Sequence, residues 1–244
     1  MQDRYAGDIG DYGKIALLRE LQTQGLSVAV NWYRTEPLKT EKKADGTYKQ
    51  GDGKYLIPEK LKVCDKDLAD CLTWIAKNNR SVLEIERAGL IPGAIYFHEF
   101  VTTENRNEWH SRALDALEGF NLVFLDPDNG MLVQSVGKNS ARSVKYAFYK
   151  EVGDYVQRGQ SVLIYNHRSR KPEERYFQEL CSKLQDASGV PDSDILKITF
   201  PRCSVRDYLA LPASEEHRRK IETAFLSMER GTWGKMGMCR GPQS

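Results

Sequence analysis

A short apolar run that ends in a cluster of polar turn residues is the feature that most constrains the fold. Leu122 to Leu125 are followed directly by Asp126-Pro127-Asp128-Asn129-Gly130. An apolar run without polar side chains is typical of a strand that is buried on both faces, and proline cannot donate to a sheet ladder. We therefore predict that the strand ends before Asp126, which then lies at the edge where open α/β sheets bind ligands. A polar turn without a binding role is the alternative, because Asp, Pro, Asn and Gly all favour turns.

The rest of the chain alternates between predicted helices and strands. The further strands are predicted at residues 27–33, 93–101, 161–166, 194–200 and 206–211. The helices are predicted from a cap at Asp11 to Gly25, from Asp65 toward Lys77, and at residues 107–117, 143–156, 172–184 and 215–228. Residues 81–88 fit a helix or a short strand. This order predicts an α/β fold with a mostly parallel sheet flanked by helices and a C-terminal antiparallel strand pair.

Length and composition favour one domain. The 244 residues are 40% hydrophobic, which is enough to bury one large core. Residues 35–60 are rich in Lys, Asp, Gly and Pro, and Asp45-Gly46 is a strong turn signal. We therefore predict a single domain over residues 1–244 with a polar insertion at about 35–60 that carries a small hairpin.

Charge and cysteine content narrow the class of protein. The net charge is +2, so no global field indicates nucleic acid, and the basic clusters at 168–171 and 218–220 are either local contacts or solvated faces. Five scattered cysteines and the absence of an apolar signal region predict a cytoplasmic protein with reduced thiols. No apolar run is long enough to cross a bilayer. The sequence leaves the oligomeric state open.

Four carboxylates are expected to approach each other at the carboxyl edge of the sheet. Asp8 and Asp11 lie in a glycine-rich loop before the first helix, and Asp126 and Asp128 follow the buried strand. Hard oxygen ligands of this kind bind Mg²⁺ or Mn²⁺ and could hold a phosphate for hydrolysis. A metal-dependent nuclease or phosphodiesterase is therefore one hypothesis. Asp8 and Asp11 could also do no more than cap the helix.

The predicted sheet and its acidic motif resemble the Rossmann-like S-adenosylmethionine-dependent methyltransferases. Asp126-Pro127-Asp128-Asn129 is similar to the Asp/Asn-Pro-Pro-aromatic motif of enzymes that methylate amino groups on adenine. In that family the first side chain and a backbone carbonyl accept hydrogen bonds from the target amine. The resemblance implies S-adenosylmethionine as cofactor and nucleic acid or a nucleotide as substrate. It also implies catalytic roles for Asp126, Asp128 and Asn129, with Pro127 beside the cofactor.

The N-terminal segment resembles one branch of that family, the ribosomal-RNA adenine-N6 methyltransferases. The matching residues are Tyr5-Ala6-Gly7-Asp8 and Lys14, and the resemblance implies that Lys14 approaches the carboxylate of the cofactor. A similar helix and acidic motif occur in the three-Cys-motif partner proteins. A bacterial family of unassigned function with a Phe-Leu-Asp-Pro-Asp-Asn-Gly motif is also similar.

Three further side chains are candidates for contact with a nucleotide. Trp32, which is next to Tyr33 at the end of the first predicted strand, could stack on adenine. Glu99 could hold a ribose, as could Glu86 if residues 81–88 form a strand. His167, directly after an apolar strand, is a general base or a hydrogen-bonded edge residue.

The sequence also departs from the methyltransferase pattern. The first strand ends without the glycine-rich turn that lets a backbone approach the cofactor. Asp128 replaces the second proline of the motif, and no aromatic residue follows to stack on a base. A third hypothesis is therefore a non-catalytic nucleotide-binding or interaction module on the same fold.

Overall fold

The protein forms eight helices and eight strands within the part of the chain that the computed structural model describes, residues 1–37, 55–168 and 172–241. The helices are α1 (Ile9–Thr23), α2 (Lys66–Asn78), α3 (Val82–Arg87), α4 (Arg106–Ala116), α5 (Tyr149–Gln157), α6 (Glu173–Ser188), α7 (Glu215–Arg230) and α8 (Thr232–Lys235). The strands are β1 (Val28–Asn31), β2 (Ile95–Phe97), β3 (Leu122–Leu125), β4 (Gly130–Met131), β5 (Tyr146–Ala147), β6 (Ser161–His167), β7 (Leu196–Phe200) and β8 (Arg206–Leu211).

Six strands form one sheet in the order β2-β1-β3-β6-β8-β7. The first four strands are parallel, and β8 runs antiparallel to both of its neighbours. The predicted α/β fold with a mostly parallel sheet and a C-terminal antiparallel pair is therefore confirmed. The short strands β4 and β5 form a separate parallel pair.

The sheet is covered on both faces, as the apolar run of β3 predicts. Leu122 and Phe124 belong to a core on one face, together with residues of α1, α2 and α7. Val123 and Leu125 belong to a second core on the other face, which includes residues of α4, α5 and α6. Alternate side chains of a strand point to opposite faces, so β3 contributes to both cores.

The cap of α1 differs from the prediction. Asp8, not Asp11, is the N-cap residue, and its Oδ1 accepts from the backbone N–H of Gly10 at 2.7 Å and of Asp11 at 3.1 Å. Asp11 lies in the first helical turn, where its carboxylate accepts from the Gly7 N–H at 2.8 Å. The glycine-rich loop places two carboxylates at one helix start, and the sequence alone assigned the cap to the wrong one.

Several element bounds also differ from the prediction. The ambiguous residues 81–88 form helix α3, and β2 is shorter than 93–101 because it is an edge strand that pairs with β1 over only three residues. The helix predicted at 143–156 begins later, because Tyr146–Ala147 pairs with β4 and a short 3-10 turn precedes it. Most of the predicted polar insertion, including Asp45-Gly46, lies outside the described residues. None of the described helices has the length and apolar character needed to span a membrane.

We expect Gly130→Ala to destabilise the protein by about 2–5 kcal/mol. Gly130 has a φ of +97°, and a Cβ there would lie 2.1 Å from Asn166 Oδ1 at the end of β6. Gly119→Ala is the matched control, because its φ is +82° and a Cβ there would meet no atom of the described residues within 4 Å. Both variants carry the backbone strain of a positive φ, and only Gly130→Ala adds a steric clash. The difference between their free energies of unfolding in urea therefore measures the clash. Equal losses in the two variants would contradict the close approach of Gly130 to Asn166.

Candidate functional site

The carboxyl ends of β3 and β6, the first turn of α1 and the loop before β8 enclose a cleft of about 270 Å³. Helix α1 precedes β1 and runs back along the sheet, so its N-terminus lies at this same edge. The cleft is lined by Met1, Tyr5, Asp8, Gly10, Asp11, Lys14, Tyr55, Asp126, Pro127, Asp128, Asn129, Lys145, Tyr165, His167, Ser204 and Arg206. The predicted approach of the four carboxylates at the sheet edge is therefore present.

Lys14 joins α1 to β3 inside the cleft wall. Its Nζ lies 2.8 Å from Asp11 Oδ1 and 2.7 Å from Asp126 Oδ2, and all three side chains are buried. Burial alone would lower the pKa of Lys14, but Asp11 and Asp126 raise it well above its ordinary value. Burial raises the pKa of Asp126, and Lys14 opposes that shift. The ammonium therefore stays charged and compensates two buried carboxylates.

Asp8 is a second cleft carboxyl whose acidity is changed by its surroundings. Burial and the neighbouring charge of Asp11 raise its pKa from 3.8 to about 6, while Arg206 acts in the opposite direction. Its Oδ1 is occupied by the α1 cap. Asp8 is therefore both a structural cap and an acid that titrates close to neutral pH.

Asp128 and Asn129 follow Pro127 along the cleft and differ in their contacts. Asp128 accepts from Gln2 Nε2 at 2.7 Å and lies 3.1 Å from the amino group of Met1. The backbone N–H of Asn129 donates to the Lys145 carbonyl at 2.9 Å. The Asn129 side chain makes no hydrogen bond with any residue in the described ranges. Its amide is available to a ligand.

Tyr165 and Arg206 belong to the site but were not predicted from the sequence, and His167 was left open. Arg206 Nε donates to the Tyr165 hydroxyl at 2.6 Å, and that hydroxyl lies 3.1 Å from His167 Nε2. Tyr165 and His167 are two residues apart on β6 and share a face, which is a signal that the sequence does carry. The pairing of His167 with Arg206 across β6 and β8 depends on strand register.

Two predicted cofactor contacts, Trp32 and Glu99, do not line the cleft. Trp32 is fully buried, donates from Nε1 to Glu86 Oε1 at 2.8 Å and stacks on Tyr96. Glu99 lies beyond the end of β2, exposed, in an ion pair of 2.7 Å with Arg112. The structure therefore brings together Asp8, Asp11, Lys14 and the segment from Asp126 to Asn129, but not these two residues.

The converging carboxylates do not form a metal-ligating cluster in the part of the chain that the structure describes. No group of three or more His, Cys, Asp or Glu residues there has an arrangement that could hold a metal ion. Lys14 lies between Asp11 and Asp126 and already supplies the positive charge. The hypothesis of metal-dependent phosphoryl chemistry therefore has no further observation in its favour.

Comparisons of the sequence with known proteins identify no family for this chain. No protein-family model matches the chain, and no curated protein matches it at a significant level.

We expect Lys14→Met to destabilise the protein by about 3–5 kcal/mol, because it removes the ammonium that lies between the buried carboxylates of Asp11 and Asp126. Urea unfolding at pH 7 measures the loss. Adding Asp126→Asn should recover part of it, since one uncompensated charge is removed. Lys66→Met is the control: Lys66 pairs with Asp70 on the exposed surface, and its removal should change stability little. If Lys14→Met lost as little stability as Lys66→Met, the buried ion triad would be contradicted.

The raised pKa of Asp8 predicts a pH-dependent stability. An acid that binds its proton more tightly in the native state stabilises the fold at low pH, and this contribution is lost as pH rises from about 4 to about 6. The full contribution of this pKa shift to the free energy of unfolding is about 3 kcal/mol. Asp8→Asn should therefore gain stability relative to the native protein over this interval, measured by urea unfolding between pH 4 and pH 7.5. Asp8→Ala should show the same pH-dependent change in the free energy of unfolding, plus a loss that is constant with pH because the cap is removed. If the difference from the native protein does not depend on pH in either variant, the raised pKa of Asp8 is contradicted.

Proposed function

We propose that this chain is an S-adenosylmethionine-dependent methyltransferase-like protein that modifies an amino group in nucleic acid or a nucleotide. One observation carries the proposal. The segment from Asp126 to Asn129 lies at the carboxyl end of β3 and lines the same cleft as Asp8, Asp11 and Lys14 from the start of α1. These are the two segments on which the resemblance to amino-group methyltransferases rests.

The sheet topology supports the same proposal. Strand β8 is inserted between β6 and β7 and runs antiparallel to both. The resemblance implies a parallel sheet with a closing antiparallel hairpin and an acidic motif after a central strand. A ligand at the carboxyl edge is also the general expectation for an open α/β sheet.

The charges of the cleft are suited to the amino-acid part of S-adenosylmethionine. Asp8 and Asp128 supply carboxylates for an ammonium or sulfonium, and Arg206 supplies a guanidinium for a carboxylate. Tyr5 and Tyr55 add aromatic surface to the cleft. The cofactor would provide an electrophilic methyl group, and the residues of this chain would orient the acceptor amine and exclude water.

The acceptor amine requires hydrogen-bond acceptors that are not already used. Asp126 commits Oδ2 to Lys14, while its Oδ1 makes no hydrogen bond within the described residues. The side-chain oxygen of Asn129 is equally available. We expect these two oxygens to accept from the target amine and to hold its lone pair toward the methyl group. Direct displacement at a sulfonium then needs orientation more than acid–base chemistry.

We expect S-adenosylmethionine to raise the melting temperature by roughly 5–10 °C at a concentration of 100 times its Kd. Transfer of a labelled methyl group to RNA, DNA or nucleotides should accompany binding. Asn129→Ala should reduce transfer by roughly 10-fold, because one hydrogen bond to the amine is lost, without a comparable loss of stability. Asn139→Ala, at an exposed asparagine outside the cleft, is the matched control and should leave transfer unchanged.

The outcomes separate the remaining hypotheses. Neither stabilisation by S-adenosylmethionine nor methyl transfer would contradict the proposal. Binding without transfer to any of these acceptors would favour a non-catalytic nucleotide-binding module. Equal transfer by Asn129→Ala and the native protein would exclude Asn129 from the reacting site.

A further inference from the structure

The hydroxyl of Tyr165 connects a fixed cation to a histidine at the cleft. A guanidinium has only hydrogen-bond donors, so Tyr165 Oη must accept from Arg206 Nε, 2.6 Å away. The tyrosine proton is then left to donate. Within the described ranges, the only other hydrogen-bond partner of this hydroxyl is His167 Nε2 at 3.1 Å. Because a buried hydroxyl without an acceptor is unfavourable, Nε2 accepts this proton.

The direction of the hydrogen bonds from Arg206 to Tyr165 and from Tyr165 to His167 determines which ring nitrogen of His167 carries its own proton. Burial and the charge of Arg206 lower the pKa of His167 to about 4, with Lys14 acting in the same direction and Asp128 opposing it. The ring is therefore neutral at pH 7, and a neutral imidazole carries one proton. Since Nε2 accepts from Tyr165, that proton is on Nδ1.

The Nδ1–H group is free to act on a ligand. Among the residues that the structure describes, none accepts a hydrogen bond from His167 Nδ1, and His167 lines the cleft. Arg206 is itself held in place, because its Nη1 donates to the carbonyl oxygens of Arg202 at 3.0 Å and Ser204 at 3.3 Å. The hydrogen bonds thus run from the anchored guanidinium of Arg206 through the Tyr165 hydroxyl to His167, whose Nδ1–H remains available.

We propose that His167 is a fixed neutral donor of the cleft, with its proton on Nδ1, and that it recognises a hydrogen-bond acceptor on the bound molecule. Tyr165 and Arg206 are positioning residues that select this tautomer. Under the proposed function, on which the identity of the ligand rests, the acceptor is a heteroaromatic ring nitrogen beside the amino group. His167 would then determine which amines the cleft accepts, because a base without that nitrogen leaves Nδ1–H unpaired.

The tautomer can be measured without any ligand. Two-bond ¹H–¹⁵N spectra of the native protein at pH 7 should show His167 protonated on Nδ1 only. Tyr165→Phe should shift His167 to a mixture of tautomers, because none of the described residues then donates to Nε2. Tyr208→Phe is the matched control: Tyr208 packs against Tyr165, and its buried hydroxyl has no hydrogen-bond partner among the described residues. That variant should leave the His167 signals unchanged.

The donor role is tested with nucleosides that differ in one ring nitrogen. The native protein should bind adenosine and cytidine roughly 3- to 10-fold more tightly than 1-deazaadenosine and 3-deazacytidine, which lack the nitrogen beside the amine. His167→Phe should lose this discrimination, and His167→Asn, which keeps a side-chain N–H, should retain part of it. Melting temperatures identify any variant that does not fold.

Two results would overturn the inference. An Nε2-protonated ring or an imidazolium at pH 7 would exclude a fixed Nδ1–H donor. Unchanged discrimination in a folded His167→Phe variant would exclude its recognition role. Absence of binding by all four nucleosides and by S-adenosylmethionine would instead contradict the proposed function, and the spectrum of the native protein would still decide the state of His167.

Discussion

The buried ion triad of Lys14, Asp11 and Asp126 is the interaction on which the geometry of the cleft depends. An ammonium removed from water is costly unless opposite charges compensate it, and here two carboxylates lie within 2.8 Å of Nζ. One carboxylate belongs to the first turn of α1 and the other follows β3. The triad therefore fixes the position of the helix start relative to the strand end, which are two walls of the cleft.

Several polar side chains of the cleft are already paired with each other, so only some of them have hydrogen-bonding capacity left for a ligand. Asp11 and Lys14 satisfy each other, and Asp128 is held by Gln2 and the amino group of Met1. The side chain of Asn129 and the Nδ1 of His167 use none of their hydrogen-bonding capacity within the described residues. Under the proposed function, these neutral polar groups contact the base, the charges of Asp8, Asp128 and Arg206 face the cofactor, and the buried triad holds the cleft walls in place.

The sequence predicted local features well and long-range pairings poorly. The β3 strand and its polar end follow from the residues of one short segment, and alternation of helices and strands was sufficient for the fold class. The pairing of Lys14 with Asp126 could not be read from the sequence, because Asp126 is 112 positions away in the chain. The contact of Arg206 with Tyr165 likewise depends on the register of an antiparallel pair. The cap of α1 was assigned to Asp11 because sequence patterns do not distinguish two nearby carboxylates.

The turn after β1 is filled by its own side chains, which is consistent with a cleft bounded by α1, β3 and β6. Tyr33 adopts a left-handed φ of +45° although it is not glycine, and its hydroxyl donates to Glu151 at 3.0 Å. Glu151 is in turn bound by Arg106 on α4, and Trp32 is equally buried on the other face. Two aromatic side chains and a buried ion pair thus occupy the turn after β1, where methyltransferases have a glycine-rich turn that lets the protein backbone approach the cofactor. The cleft at the carboxyl edge therefore lies beside the acidic segment from Asp126 to Asn129, so under the proposed function recognition and chemistry depend on the same few residues.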